Sequence, residues 1–329
     1  MSLRVIGDAP AESGHKRNPG FPLDLDWVER TVMNRSALER RAGSIGARRS
    51  VKKEWQAAWL LKAITLIDLT TLNSDDTPGR VERLCAKALR PVRRDILQAL
   101  GAEKLDIKPG AVCVYHAFVE TAVNALKGSG IPVAAVSTGF PHGLAPLSTR
   151  IGEIEASVKA GAKEIDIVIE RGMVLRGDWQ GLYDQIKAFR TACGDAHLKT
   201  ILGTGELATL TNVAKASLVC MLAGADFIKT STGKEAVNAN LKTSLAMIRM
   251  IRWFYDETGI EIGYKPAGGI SSAKNALTYM ALMKDELGTH WLQPHLFRFG
   301  ASSLLTDIER QLEHGVTGRY AADYRQPMV

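Results

Sequence analysis

Short apolar runs recur along the chain at 64–69 (ITLIDL), 111–115 (AVCVY), 133–137 (VAAVS), 164–169 (EIDIVI), 198–202 (LKTIL), 226–230 (DFIKT), 262–266 (IGYKP) and 296–300 (LFRFG). Between them lie amphipathic stretches of helical length, among them 178–193, 208–223, 238–258 and 271–287. Apolar runs that short read as buried strands, and their alternation with helices implies parallel strands joined by helical crossovers. Eight strands close a barrel, so the expected fold is α/β, a (β/α)8 TIM barrel. An open doubly wound sheet explains the pattern less well, since it needs no phosphate-type turns at both of the last two strands.

Ahead of the barrel, the stretch 36–63 has helical character, with Val51, Trp55, Ala58 and Trp59 on one face. It is expected to be an appendage packed on the main domain. Residues 1–22 carry Gly, Pro, Ser and Asn without periodicity. The division that follows is a flexible tail at 1–22, a helical extension at 23–62, the barrel at 63–314 and a C-terminal tail at 315–329.

Composition narrows the class. Of 329 residues, 46% are hydrophobic and 23% charged, which supports a sizeable core and excludes bulk disorder. No run reaches the roughly 18 apolar residues of a membrane span. The start, MSLRVIGDAP, lacks the marks of a secretory signal, and the expected location is the cytoplasm. Cys85, Cys113, Cys193 and Cys220 form no CxxC pair and read as reduced thiols, which makes the sequon at Asn34 a chance match. About half of the net charge of +7 falls before residue 60. Few aromatics are interleaved there for base stacking, so a solvated basic helix is favoured over a nucleic-acid surface.

In a barrel, functional groups sit at the C-terminal strand ends. Asp68 ends the first run, Asp166 lies within the fourth, Lys229 ends the sixth and Lys265 the seventh. One lysine at a strand end commonly snorkels to solvent. Two on consecutive strands project over the same mouth, where burial and mutual repulsion would free one amine for attack on a carbonyl. Asp166, among Ile165, Ile167 and Ile169, is costly to bury without a partner and is suited to proton transfer, or to a salt bridge with one of those lysines. Turns rich in glycine follow the last three strands: Gly233 and Lys234, then AGGI with Gly268 and Gly269, then GASSLL with Ser302 and Ser303 opening a helix. Backbone N–H groups and a helix N-terminus there suit a phosphate.

Other matches fail on context. GTGELA (203–208) resembles a dinucleotide-binding turn, but Asp226 begins a strand where a ribose-binding acid should end one. STGK resembles a P-loop with Ile228 in place of its first glycine and Glu235 in place of the final Ser/Thr. The seven histidines show no metal-ligating spacing, and His142 reads as a loop residue.

Taken in order, IDLTTLNSDDT (67–77), VCVY (112–115), GFPHG (139–143), EIDIVI (164–169), LKTILGTGEL (198–207), DFIKTSTGK (226–234), YKPAGGI (264–270) and GASSLL (300–305) resemble the class I, Schiff-base family of deoxyribose-phosphate aldolases. The likeness spans roughly 60–318, and the flanking segments resemble its longer, eukaryotic-type branch. It implies reversible cleavage of 2-deoxy-D-ribose 5-phosphate to D-glyceraldehyde 3-phosphate and acetaldehyde, in deoxyribonucleoside catabolism, with no cofactor and no metal. It further implies Lys229 as nucleophile, Lys265 as the lysine that lowers its pKa, and Asp166 as the acid/base group working with a water. Asp68 and Thr232 become polar support for sugar hydroxyls. Gly233, Lys234, Gly268, Gly269, Ser302 and Ser303 become the phosphate cradle.

His116 and Ala117 depart from the family pattern, which usually has Pro after VCVY. Cys113 is expected to be packed in the core rather than open to aldehydes. The remaining alternatives are an aldolase for another phosphorylated sugar, a non-catalytic sugar-phosphate sensor and a nucleic-acid-associated binder. A homo-oligomer, dimer or tetramer, is expected from apolar residues on the outer helices such as Trp253, Phe254 and Trp291.

Overall fold

The computed structural model describes residues 17–48, 51–322 and 325–326. Eight parallel strands form one sheet: β1 (Ile67–Thr70), β2 (Ala111–Tyr115), β3 (Val133–Ser137), β4 (Glu164–Val168), β5 (His197–Ile201), β6 (Phe227–Lys229), β7 (Gly263–Lys265) and β8 (Phe299–Ala301). They pair in the order β7-β6-β5-β4-β3-β2-β1-β8. Parallel bridges from Tyr264 to Phe297 and from Ala267 to Gly300 join β7 to the chain around β8, so the ring closes as the alternation predicts. The helices between strands begin where the sequence supplies an N-cap: Asp178, Thr209, Asn240 and Ser272 each accept a backbone N–H with the side-chain oxygen.

The period of two along each strand sorts side chains between two compartments. Ile67, Leu69, Val112, Val114, Ile165, Ile167, Ile228 and Tyr264 face outward into the main core under the helices. On β2 and β3 the inward residues Ala111, Cys113, Ala134 and Val136 form a separate apolar cluster with Leu72, against which Tyr115 and Phe140 pack. On β1 and β4 to β7 the inward positions include charged residues: Asp68, Glu164, Asp166, Lys199, Lys229 and Lys265. At the N-terminal end of the barrel, Phe227 is fully buried, and Gly263 faces its ring so closely that a Cβ would collide with it.

The segment before β1 departs from expectation. Residues 1–16 of the predicted tail lie outside the described residues, and residues 17–22 are bound to the barrel. Asn18 is buried: its N–H donates to Asp226 Oδ1 (2.8 Å), and its Nδ2 donates to the carbonyls of Met221 (2.7 Å) and Ala225 (2.9 Å). Three helices follow, α1 (Leu25–Arg30), α2 (Arg35–Arg48) and α3 (Lys53–Thr65), so the helical stretch expected over 36–63 is two helices. Because α3 runs through Thr65, the first strand starts at Ile67 instead of 64. Trp59 packs on the core, whereas Trp55 is 56% exposed, so the expected common face divides.

Trp27 of α1 stacks on Phe254 (6.1 Å between centroids) and meets Trp253 edge-on (5.4 Å), while Phe21 meets Phe254 at 5.8 Å. Phe254 and Trp291 are buried. Of the outer aromatics expected to mark an oligomer interface, Phe254 and Trp291 are therefore covered within the chain itself, and Trp253 is partly covered by Trp27. At the other end, the helix Ser303–Thr317 extends into the expected C-terminal tail and stops at Gly318, whose φ of 74° supplies the left-handed turn. Among the described residues no helix is long and apolar enough to cross a membrane.

Candidate active site

The inward charged residues of β1 and β4 to β7, with Arg298 just before β8, meet inside the barrel. Lys229 Nζ donates to Asp166 Oδ2 at 2.8 Å, and Lys265 Nζ donates to the same oxygen at 2.7 Å. The other oxygen, Oδ1, accepts from Lys199 Nζ at 2.9 Å. Lys199 also donates to Glu164 Oε2 at 2.5 Å, and Arg298 Nη2 donates to Glu164 Oε1 at 2.9 Å. Asp68 pairs with both Lys265 and Arg298. All seven side chains are buried. The pairing follows from register: Asp166 stands opposite Lys199, and Lys229 opposite Lys265, across neighbouring strands.

Lys199, Glu164 and Arg298 were not singled out from the sequence. Their signal is parity, since each is an ionisable residue on the inward side of an otherwise apolar strand. Glu164 stands two positions before Asp166, and Arg298 two before Gly300. Such residues are seldom buried unpaired, and three of them on barrel strands announce a network.

The charges do not balance. Three carboxylates (Asp68, Glu164, Asp166) face four cations (Lys199, Lys229, Lys265, Arg298), leaving one positive charge in a dehydrated cluster. Loss of one proton from a lysine would neutralise it. Burial pulls the Lys229 ammonium below the ordinary lysine range, with Lys265 adding to the shift and Asp166 opposing it. Burial acts on Lys265 too, but Asp166 and Asp68 outweigh it and hold this amine firmly protonated. Lys199 is likewise raised against burial by Asp166, Glu164 and Asp68. Burial alone would raise Asp166; Lys199, Lys229 and Lys265 reverse this and keep it ionised.

Both oxygens of Asp68 are engaged by cations, so it reaches the site through Lys265 and Arg298 rather than offering a free carboxylate to a sugar. Thr232 is buried, with its N–H (3.0 Å) and Oγ1 (2.7 Å) both donating to Glu235. Gly233 N–H also donates to Glu235, at 3.1 Å, so this donor of the predicted cradle is already held. Lys234 is exposed. Gly268 and Gly269 take φ values of 80° and 78°, a region open to glycine. A Cβ on Gly233 would lie 3.9 Å from Gly268 Cα, which puts the loops after β6 and β7 side by side. Ser302 and Ser303 line a cleft of about 470 Å³ with Thr70, Asn73 and Ser271, at the start of the helix Ser303–Thr317.

At the departure from the family pattern, His116 and Ala117 form a short 3-10 turn, and His116 Nδ1 lies 3.2 Å from Glu153 Oε1. Cys113 is fully buried, and burial raises its thiol pKa. Among the described residues, no group of three or more His, Cys, Asp or Glu side chains is placed to hold a metal ion.

Comparison with known proteins bears on this arrangement. Residues 62–307 match the DeoC/LacD family of aldolases. The chain is 58% identical over 318 residues to the deoxyribose-phosphate aldolase of Homo sapiens, covering 96% of this chain and 99% of that one. It is 60% identical over 311 residues to the deoxyribose-phosphate aldolase of Mus musculus, covering 94% and 98%. Among solved structures, the tetrameric deoxyribose phosphate aldolase from Aeropyrum pernix superposes with a TM-score of 0.59 at 21% identity, covering 88% of this chain and 100% of the other, a likeness of fold.

Proposed function

The chain belongs to the DeoC/LacD family of aldolases, and from that premise we propose that it cleaves 2-deoxy-D-ribose 5-phosphate reversibly to D-glyceraldehyde 3-phosphate and acetaldehyde through an imine on Lys229. One observation carries the mechanism: two buried lysines share a single carboxylate oxygen, and their environments push their proton affinities apart. Lys229 is the amine that can lose its proton, and Lys265 the charge that stays.

In this reading the neutral Lys229 amine attacks the aldehyde carbon of the open-chain sugar. Loss of water from the carbinolamine gives an iminium. Asp166, ionised, takes protons through a water, while Lys265 supplies the cation that stabilises developing negative charge. The iminium draws in the electron pair of the C2–C3 bond as the C3 hydroxyl loses its proton. Glyceraldehyde 3-phosphate departs, leaving an enamine on Lys229. Protonation at C2 and hydrolysis release acetaldehyde and restore the amine. Lys234, Gly268, Gly269, Ser302 and Ser303 hold the phosphate, with Gly233 shaping the turn, and binding at that remote end orients the reacting carbon.

The test is reductive trapping. Incubation with deoxyribose 5-phosphate or acetaldehyde, followed by borohydride, should leave a mass increment on Lys229 and none in Lys229→Leu. An unmodified Lys229 in folded protein overturns the mechanism. Turnover with acetaldehyde as donor, against dihydroxyacetone phosphate or pyruvate, separates this substrate from those of other aldolases.

The same reading includes a cytoplasmic location, supported by four buried free cysteines, and a homo-oligomer, dimer or tetramer. Val32, Leu144 and Trp55, which remain exposed, are apolar surface that such an assembly could cover, and light scattering checks it.

A further inference from the structure

One guanidinium ties the loops of the barrel mouth together and has no part in the chemistry above. Arg171 begins the helix Arg171–Leu175 after β4 and has 11% of its side chain exposed. Its Nη1 donates to the carbonyl of His142 (3.1 Å), and its Nη2 to those of Pro141 (3.3 Å) and to Glu235 Oε1 (3.0 Å). Its Nε lies 2.7 Å from Glu206 Oε2. The loops after β3, β5 and β6 are thus gripped from the loop after β4. Gly203, the glycine of the misleading GTGELA motif, gains a purpose here: its φ is 66°, and a Cβ on it would collide with Arg171 Nε.

The partner that matters is Glu235. Its side chain is 3% exposed, yet it lies beside the loop expected to bind an anion. The carboxylate accepts from Thr232 N–H, Thr232 Oγ1 and Gly233 N–H, and Lys234 N–H in turn donates to Thr232 Oγ1 at 3.1 Å. Burial would raise its pKa, but the Thr232 donors and Arg171 prevail and keep it ionised. A second anion would be repelled by a bare carboxylate; with Arg171 against it, Glu235 shapes the loop while its charge is offset.

We propose that Glu235, clamped by Arg171, is a positioning residue that sets the loop 232–234 in the form that receives the sugar phosphate, and so sets the preference for phosphorylated over free sugar. The proposal rests on the aldolase reading. Phosphate then meets the Lys234 ammonium and the Gly268–Gly269 backbone, while Glu235 retains the N–H of Gly233.

The experiment compares kcat and KM for 2-deoxyribose 5-phosphate and 2-deoxyribose, and the inhibition constant of inorganic phosphate, in the wild type, Glu235→Gln and Glu235→Asp. Loss of a charge-assisted hydrogen bond predicts that Glu235→Gln lowers the preference for the phosphorylated sugar about tenfold, through KM rather than kcat, and weakens phosphate inhibition to match. Glu235→Asp, which keeps the charge, should recover part of it. Equal losses on both sugars, or no loss, would overturn the proposal. So would tighter phosphate binding, which would make Glu235 a competitor of the substrate. If Glu235→Gln does not fold, Arg171→Lys must give the same split, and its absence is equally fatal. A wild type that cleaves neither sugar sinks the aldolase reading itself, an outcome distinct from the others.

Discussion

At the scale of single residues, the proposed chemistry depends on which of two adjacent amines keeps its proton. Because the Lys229 pKa is lowered in the fold, the fraction of free amine rises with pH at values below those of an ordinary lysine. Lys265→Met removes a cation and also frees Asp166 to hold the Lys229 proton. Both effects raise the pKa, so the acid-side limb of kcat/KM, on which activity rises with pH, should move to higher pH. At neutral pH the free amine falls about tenfold for each unit regained, which the pH dependence of borohydride trapping can follow. Lys199 has a different weight. It binds Asp166 Oδ1 and Glu164 together, so Lys199→Met leaves two buried carboxylates short of a partner. The expected loss of stability is about 3–5 kcal/mol, measured by urea unfolding. Lys229 and Lys265 were legible because each ends an apolar run, and Asp166 because it interrupts one. Lys199, Glu164 and Arg298 obey the same parity, but a charge near a strand's start reads first as a solvated edge.

At the scale of elements, the extension holds the barrel through contacts that no local pattern encodes. The residues around Asn18 read as punctuation in the sequence because their partners, Met221, Ala225 and Asp226, lie more than 200 positions away. Asn18→Ala should cost about 1–3 kcal/mol for the two buried hydrogen bonds of its amide nitrogen that it removes. Trp27→Ala, which uncovers Phe254 and Trp253, should cost about 3–5 kcal/mol. Thermal unfolding reads both, and catalysis on the opposite face should survive below the melting transition. Strand positions, by contrast, were legible nearly throughout, because a strand buried on both faces is a short apolar run bounded by turns. Two strands start late: β1 because Ile64 and Thr65 complete the last turn of α3, and β8, expected from 296, because the N–H groups of Leu296 and Phe297 turn back to the Gln293 carbonyl and the strand begins only at Phe299.

At the scale of the whole molecule, closing the ring buries a set of paired charges, and stability becomes tied to pH. Glu164 and Asp166 hold protons less tightly folded than unfolded. Their contribution is therefore complete above the unfolded carboxylate range, about pH 4, and is lost as pH falls through the lower folded values. The urea midpoint should decline on acidification, and Glu164→Gln should flatten that decline. The (β/α)8 architecture itself was readable from the count of alternating units; the internal charge balance was not, since it depends on which residues face one another across strands. The ring of Phe227 fitted against Gly263 carries a last consequence. It stoppers the barrel at the end away from the loops, so substrate and products have only the loop face to pass by. On the imine reading the two-carbon fragment stays bonded to Lys229 as an enamine while the three-carbon phosphate leaves by that face, so the phosphate goes first. Product inhibition should show that order, with acetaldehyde competing directly against deoxyribose 5-phosphate for the free enzyme and glyceraldehyde 3-phosphate inhibiting noncompetitively.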